Sequence, residues 1–89
     1  MNVNFDSEVE FKPFRVDIYF PEWHFALEVD GPIHSRKKDE VRDNTLMIAY
    51  QLPVVHVRSG AKKQLTIDIV THAAEIWADT AEDRKRHAR

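Results

Sequence analysis

The sequence predicts an α/β domain, a small mixed β-sheet of about four strands flanked by helices. Three observations carry that expectation. Apolar residues alternate with polar ones at Phe14, Val16, Ile18 and Phe20, and again at Phe25, Leu27 and Val29, the period of two of half-buried strands. Helical stripes follow, one at Val41, Thr45 and Ile48, widened by Met47 and Tyr50, the other at Leu65, Ile69, Val70, Ala73, Ile76 and Trp77. Between them lies a β-branched run, Val54 to Val57, which the first helix can deliver as a parallel, right-handed crossover partner of the Phe25 to Val29 strand.

Met1 to Ser7 has no period and is read as irregular chain. Glu8 to Phe11 forms a short first strand that ends at Lys12-Pro13, because proline belongs between strands. Glu8 and Glu10 are the charges an exposed edge carries against aggregation. Phe14 to Phe20 is the second strand, and Pro21-Glu22-Trp23-His24 turns it into the third. There His24 is read as solvated, and Trp23 as either a lid on the core or an exposed aromatic.

A turn centred between Glu22 and Trp23 pairs residues whose numbers sum to 45. Ile18 then faces Leu27, Val16 faces Val29, Asp17 faces Glu28 and Arg15 faces Asp30. Gly31 and Pro32 take the chain out of the sheet. Ser35 caps a helix that runs to Tyr50, and Gln51-Leu52-Pro53 ends it. Val54 to Val57, with His56 inside it, is expected to be a central strand. Arg58 to Lys63 is a cationic loop at its carboxyl end, where parallel sheets bind ligands. Gln64 to Ala78 is the second helix, and Asp79 to Arg89 a charged tail expected to fray.

The chain has 89 residues, which suits one domain (1–89) with a single modest core. Cysteine is absent, which excludes disulfides and thiolate metal sites. No run approaches the ~20 apolar residues of a membrane span, and Met1 to Phe5 lacks signal-peptide character, so a cytoplasmic chain with no membrane partner is expected. Net charge is −2, but its distribution is uneven: residues 1–34 hold seven acids and two bases, residues 35–63 seven bases and three acids. An acidic site bordered by a basic segment suits a metal-dependent enzyme whose substrate is a polyanion.

The acids of the hairpin stand in the phase opposite to its apolar residues. Like charges side by side on neighbouring strands are destabilising unless a proton or cation shares the site. Asp17, Glu28 and Asp30 therefore form a candidate oxygen-rich site for magnesium, manganese or calcium. His34, just beyond, is a candidate general base or water-orienting group. For any single acid the plainer reading is a strand residue facing water, and a cross-strand pair with Arg15 would account for Asp30.

The residues Arg15-Val16-Asp17, Leu27-Glu28-Val29-Asp30-Gly31, His34, Arg42-Asp43 with Leu46, and the strand from Pro53 to Arg58 resemble one branch of the PD-(D/E)XK nuclease superfamily. That branch includes the very-short-patch mismatch-repair endonuclease and homing endonucleases of the same fold. The spacing Asp-x(10)-Glu-x-Asp-Gly-x-x-His with a following Arg-Asp helix carries the resemblance, over roughly Phe11 to Ser59. It implies a restriction-endonuclease-like core and a DNA endonuclease or nickase of a bacterial cell or phage-infected host, dependent on Mg2+ or Mn2+. Asp17, Glu28 and Asp30 would hold the metal, helped by the Val29 carbonyl. His34 would activate or orient water, and Asp43 would complete the polar cluster. Arg36, Lys37, Lys38, Arg42, Arg58, Lys62 and Lys63 would contact the nucleic-acid backbone. The second acidic strand lacks the superfamily's usual lysine, for which His34, or else Lys37 or Lys38, would substitute. The alternatives are a non-catalytic nucleic-acid-binding or interaction module on this fold, or a nuclease for RNA or branched DNA. Cutting both strands would most simply use a homodimer.

Overall fold

A computed structural model describes residues 3–32 and 36–88, with the side chain of Arg36 outside the described set. The expected architecture is present. A four-stranded mixed sheet has the order β1 (Asp6–Phe11), β2 (Phe14–Phe20), β3 (Phe25–Asp30) and β4 (Val54–Arg58). The first three strands are antiparallel neighbours, and β4 lies parallel to β3. Helix α1 (Arg36–Tyr50) makes that crossover, and α2 (Lys63–Trp77) follows β4. In this sheet β4 is an edge strand, not a central one, since among the described residues no further strand adds to it.

The side-chain alternation of β3 divides the core in two. Phe25 and Leu27 join Phe20, Val57, Val70 and Ala73 on the α2 side. Ala26 joins Val16, Leu46 and Leu52 on the α1 side. Strand β3, covered on both faces, is buried from Phe25 through Glu28.

Strand β2 departs from simple alternation. Val16 packs on the α1 side with Val9, Phe11 and Phe14, whereas Ile18 and Phe20 pack on the α2 side. Two residues apart, Val16 and Ile18 would share a face in a regular strand. The β1–β2 register explains the switch: it runs through Ser7–Ile18 and Val9–Val16 and passes over Glu8 and Asp17. Glu8 has a φ of 54°, a local twist in β1 opposite Asp17. The sequence reading of one continuous apolar face from Phe14 to Phe20 is corrected accordingly.

Both helices also expose parts of their expected stripes. On α1, Val41 and Ile48 are 61% and 76% exposed, while Leu46 is the buried residue. The inward face runs through Asp39, Arg42, Asp43 and Leu46, polar in its first turns because the sheet beneath it is polar there. On α2, Leu65 and Ile76 are exposed, and Ile69, Val70, Ala73 and Trp77 carry the packing.

The charged tail is ordered as a short 3-10 turn, Ala78–Thr80, and a helix α3, Ala81–His87, rather than frayed. Arg84 fixes it. This buried guanidinium donates to the carbonyls of Trp23, His24, Gln51 and Trp77 and to the Thr80 hydroxyl, and lies 5.2 Å from the Trp77 ring centre. His24 is likewise buried, not solvated. Its Nδ1 meets the Tyr19 hydroxyl at 2.7 Å, and its Nε2 meets the Tyr50 carbonyl at 2.9 Å, tying the hairpin turn to the end of α1. Trp23 is a lid on the core, stacked 6.0 Å from Phe25. Among the described residues no helix is long and apolar enough to cross a membrane.

Candidate metal and nucleic-acid site

The predicted register of the hairpin holds near its turn, where Phe20–Phe25, Tyr19–Ala26 and Ile18–Leu27 pair. Beyond Leu27 the ladder stops, so Val16–Val29 and Arg15–Asp30 do not form. At the twist in β2, side chains replace the ladder. The Asp17 N–H donates to Glu28 Oε2 at 2.9 Å, and the Val29 N–H donates to Asp17 Oδ2 at 2.8 Å. Each carboxylate thus satisfies a backbone donor that a regular ladder would have used. The two acids are neighbours, as the sequence implied, but as reciprocal caps on the two strands.

Glu28 is 6% exposed and pairs with the guanidinium of Arg42 on α1. Arg42 Nη2 also donates to the Arg15 carbonyl at 2.8 Å. One side chain therefore joins α1 to β3 and β2, and supplies the positive charge that a buried carboxylate requires. Arg42, expected on the nucleic-acid backbone, is instead inside the acid cluster.

Asp30, at the end of β3, turns to His56 of β4. The β3–β4 register sets Glu28 against His56, so Glu28, Asp30 and His56 share the α1 face. His56 Nδ1 lies 3.1 Å from the Asp30 carboxylate, and Nε2 lies 2.6 Å from Asp43 Oδ2. Partial burial pulls the imidazole pKa down, but hydrogen bonds to Asp43 and Asp30, with their charges, outweigh it and raise the pKa. When protonated, the ring donates from both nitrogens to these carboxylates; holding a cation through Nδ1 would require that proton to leave, with Nε2–H kept on Asp43. The other oxygen of Asp43, Oδ1, is buried with no hydrogen-bond partner among the described residues.

Asp39 stands one turn before Asp43 on α1 and faces the same way. Ligand atoms of Asp30, Asp39 and His56 all lie within 4.8 Å of one another. Two carboxylates and an imidazole suit a divalent cation, and the nitrogen favours manganese over magnesium. Glu28 fits less well, because both its oxygens already accept from N–H groups. Asp17 commits Oδ2 to Val29.

The structure thus brings Asp17, Glu28, Asp30 and Asp43 together at one end of the sheet. His34 lies outside the described residues, as does the side chain of Arg36. Lys37 and Lys38 are exposed at the start of α1, and Arg58, Lys62 and Lys63 are exposed around the loop after β4. Sequence reasoning gave no role to His56 or Asp39 and expected Arg42 on the nucleic-acid backbone. The available signal for His56 was a polar residue inside a run of valines, in register with Glu28 once the parallel pairing is drawn.

Comparison with protein-family models, with curated proteins and with solved structures gives no significant match.

Proposed function

We propose that this chain is a divalent-metal-dependent phosphodiesterase that cleaves or nicks DNA. The observation that supports it most is the convergence of Asp30 at the end of β3, Asp39 of α1 and His56 of β4, the last in register with Glu28. These three residues would hold the cation, Mn2+ or Mg2+. When bound, it would polarise the scissile phosphate and make its water more acidic.

The chain's own residues prepare the place. Asp43 orients the His56 ring through Nε2. Asp17 and Glu28 tie β2 to β3 through their bonds to backbone N–H groups, just before Asp30 ends β3. Lys37 and Lys38, on the helix that carries Asp39, and Arg58, in register with Asp30, offer exposed charge suited to a polyphosphate backbone, and Lys62 and Lys63 add to it from the loop after β4. A cytoplasmic location fits a DNA substrate, and cleavage of both strands would most simply use two copies acting together.

Plasmid nicking tests the reading. Supercoiled DNA should relax with added Mn2+, and EDTA should block it. Asp39→Asn and His56→Ala should abolish activity, while Asp43→Asn should lower it roughly 10–100-fold. Cleavage that survives EDTA or the first two substitutions contradicts the mechanism.

The Arg42–Glu28 pair favours a second reading, a nucleic-acid-binding module without turnover, because an internal cation stands where the resemblance puts a metal. That module would bind DNA in a salt-dependent manner and cleave nothing in any metal. Comparing linear duplex, junction and RNA substrates separates the remaining alternatives.

A further inference from the structure

We propose that a groove beside the acid cluster seats an unpaired nucleotide, which makes single-stranded or strand-end DNA the preferred ligand; the proposal rests on the nuclease reading above. The groove, about 500 Å³ in volume, is lined by Phe14 at the start of β2 and by Lys37, Lys38, Asp39, Val41 and Arg42 of α1. It is continuous with the site, since Asp39 belongs to the candidate metal ligands and Arg42 holds Glu28.

Its chemistry is mixed in a way that selects the occupant. Val41 is 61% exposed, with the exposed charges of Lys37, Lys38 and Glu40 in the turn before it. Phe14 is half-buried and adds an aromatic ring. Around these apolar surfaces stand Lys37, Lys38 and Asp39, while the Arg42 guanidinium is committed to Glu28. A free phosphate gains nothing from Phe14 and Val41. A duplex turns its phosphates and sugars outward and keeps its base faces stacked within. An unpaired nucleotide offers a base to the apolar residues and a phosphate to the lysines, the combination that single-strand binding surfaces use.

Fluorescence anisotropy tests this with labelled oligothymidine and a blunt hairpin duplex of equal nucleotide count, in EDTA so that nothing is cleaved. The single strand should bind about tenfold more tightly than the duplex. Phe14→Leu should remove most of that preference, Phe14→Tyr should keep it, and Lys37→Gln should weaken both ligands alike. Val41→Asn, at a side chain the core does not use, should reduce the preference even if the Phe14 variants fold poorly. Equal affinity for strand and duplex, or a preference untouched by Val41→Asn, overturns the proposal. Nicking without single-strand preference would remove the groove and leave the nuclease reading standing. Single-strand preference without nicking would do the reverse.

Discussion

Arg42 of α1 and Glu28 of β3 form an ion pair in which the carboxylate is almost wholly buried, and the same guanidinium holds the Arg15 carbonyl of β2. Removing one partner of such a pair leaves an uncompensated charge inside the protein. Arg42→Gln should therefore destabilise the fold by about 3–5 kcal/mol. The double variant Arg42→Gln with Glu28→Gln should recover a large part of that loss, because two neutral amides replace the stranded carboxylate. Urea denaturation of both singles and the double gives the coupling directly. Additive losses would mean that the pair does not stabilise the joint between helix and sheet.

Gln51 ends α1 in the left-handed region, with φ 54°, while its N–H bonds the Met47 carbonyl at 2.9 Å. A glycine adopts that conformation without steric strain. Gln51→Gly should stabilise the protein by about 1 kcal/mol. For a domain of this size that raises Tm by about 4–8 °C. The Arg84 contact is to the backbone carbonyl and survives the change. An unchanged or lower Tm in a thermal melt would contradict it.

Burial holds the His24 imidazole below its ordinary pKa of 6.5; the Tyr50 carbonyl opposes this, and the charges of Arg84 and Lys85 add to the lowering. Below that ordinary value the unfolded chain takes up a proton that the folded chain resists. The stabilisation is present above pH 6.5 and is lost as pH falls through the folded pKa, at no more than about 1.4 kcal/mol per pH unit. The urea midpoint of the native protein should fall between about pH 7 and pH 5, and His24→Asn should flatten that dependence. Parallel curves for the two proteins would show that His24 does not set it.

Arg84 anchors the charged tail at several points, donating to four carbonyls and a hydroxyl. Arg84→Ala should cost about 3–5 kcal/mol by urea denaturation, since the carbonyls around it lose a charged donor. Arg84→Lys should recover little, because an ammonium cannot reproduce the planar fork. Recovery by lysine to near the native midpoint would reduce Arg84 to a simple charge.

The elements of the fold were legible because they rest on local pattern. The hairpin turn, the register from Ile18–Leu27 to Phe20–Phe25, the parallel β4 and both long helices follow from spacing and breakers. What the pattern concealed was tertiary. The twist at Glu8 and Asp17 reverses which face Val16 uses, and no propensity marks it, since neither residue is a glycine. Helix α1 turns Arg42 and Asp43 inward and leaves Val41 and Ile48 in solvent, because the polar end of the sheet decides which face docks. Of the candidate site, the acids of β2 and β3 were found from phase alone. His56 and Asp39 were not, as they meet Asp30 only after the crossover closes. His24 and Arg84 look like surface residues until the carbonyls they satisfy are seen.

The central claim is that a divalent cation is held by Asp30, Asp39 and His56 while Arg42 keeps Glu28. Anomalous difference density from a manganese-soaked crystal tests it most directly. The account predicts a peak within coordinating distance of those three side chains, with the Arg42–Glu28 pair intact. A peak between Asp17 and Glu28 with Arg42 swung away, or no peak at saturating manganese, would contradict it.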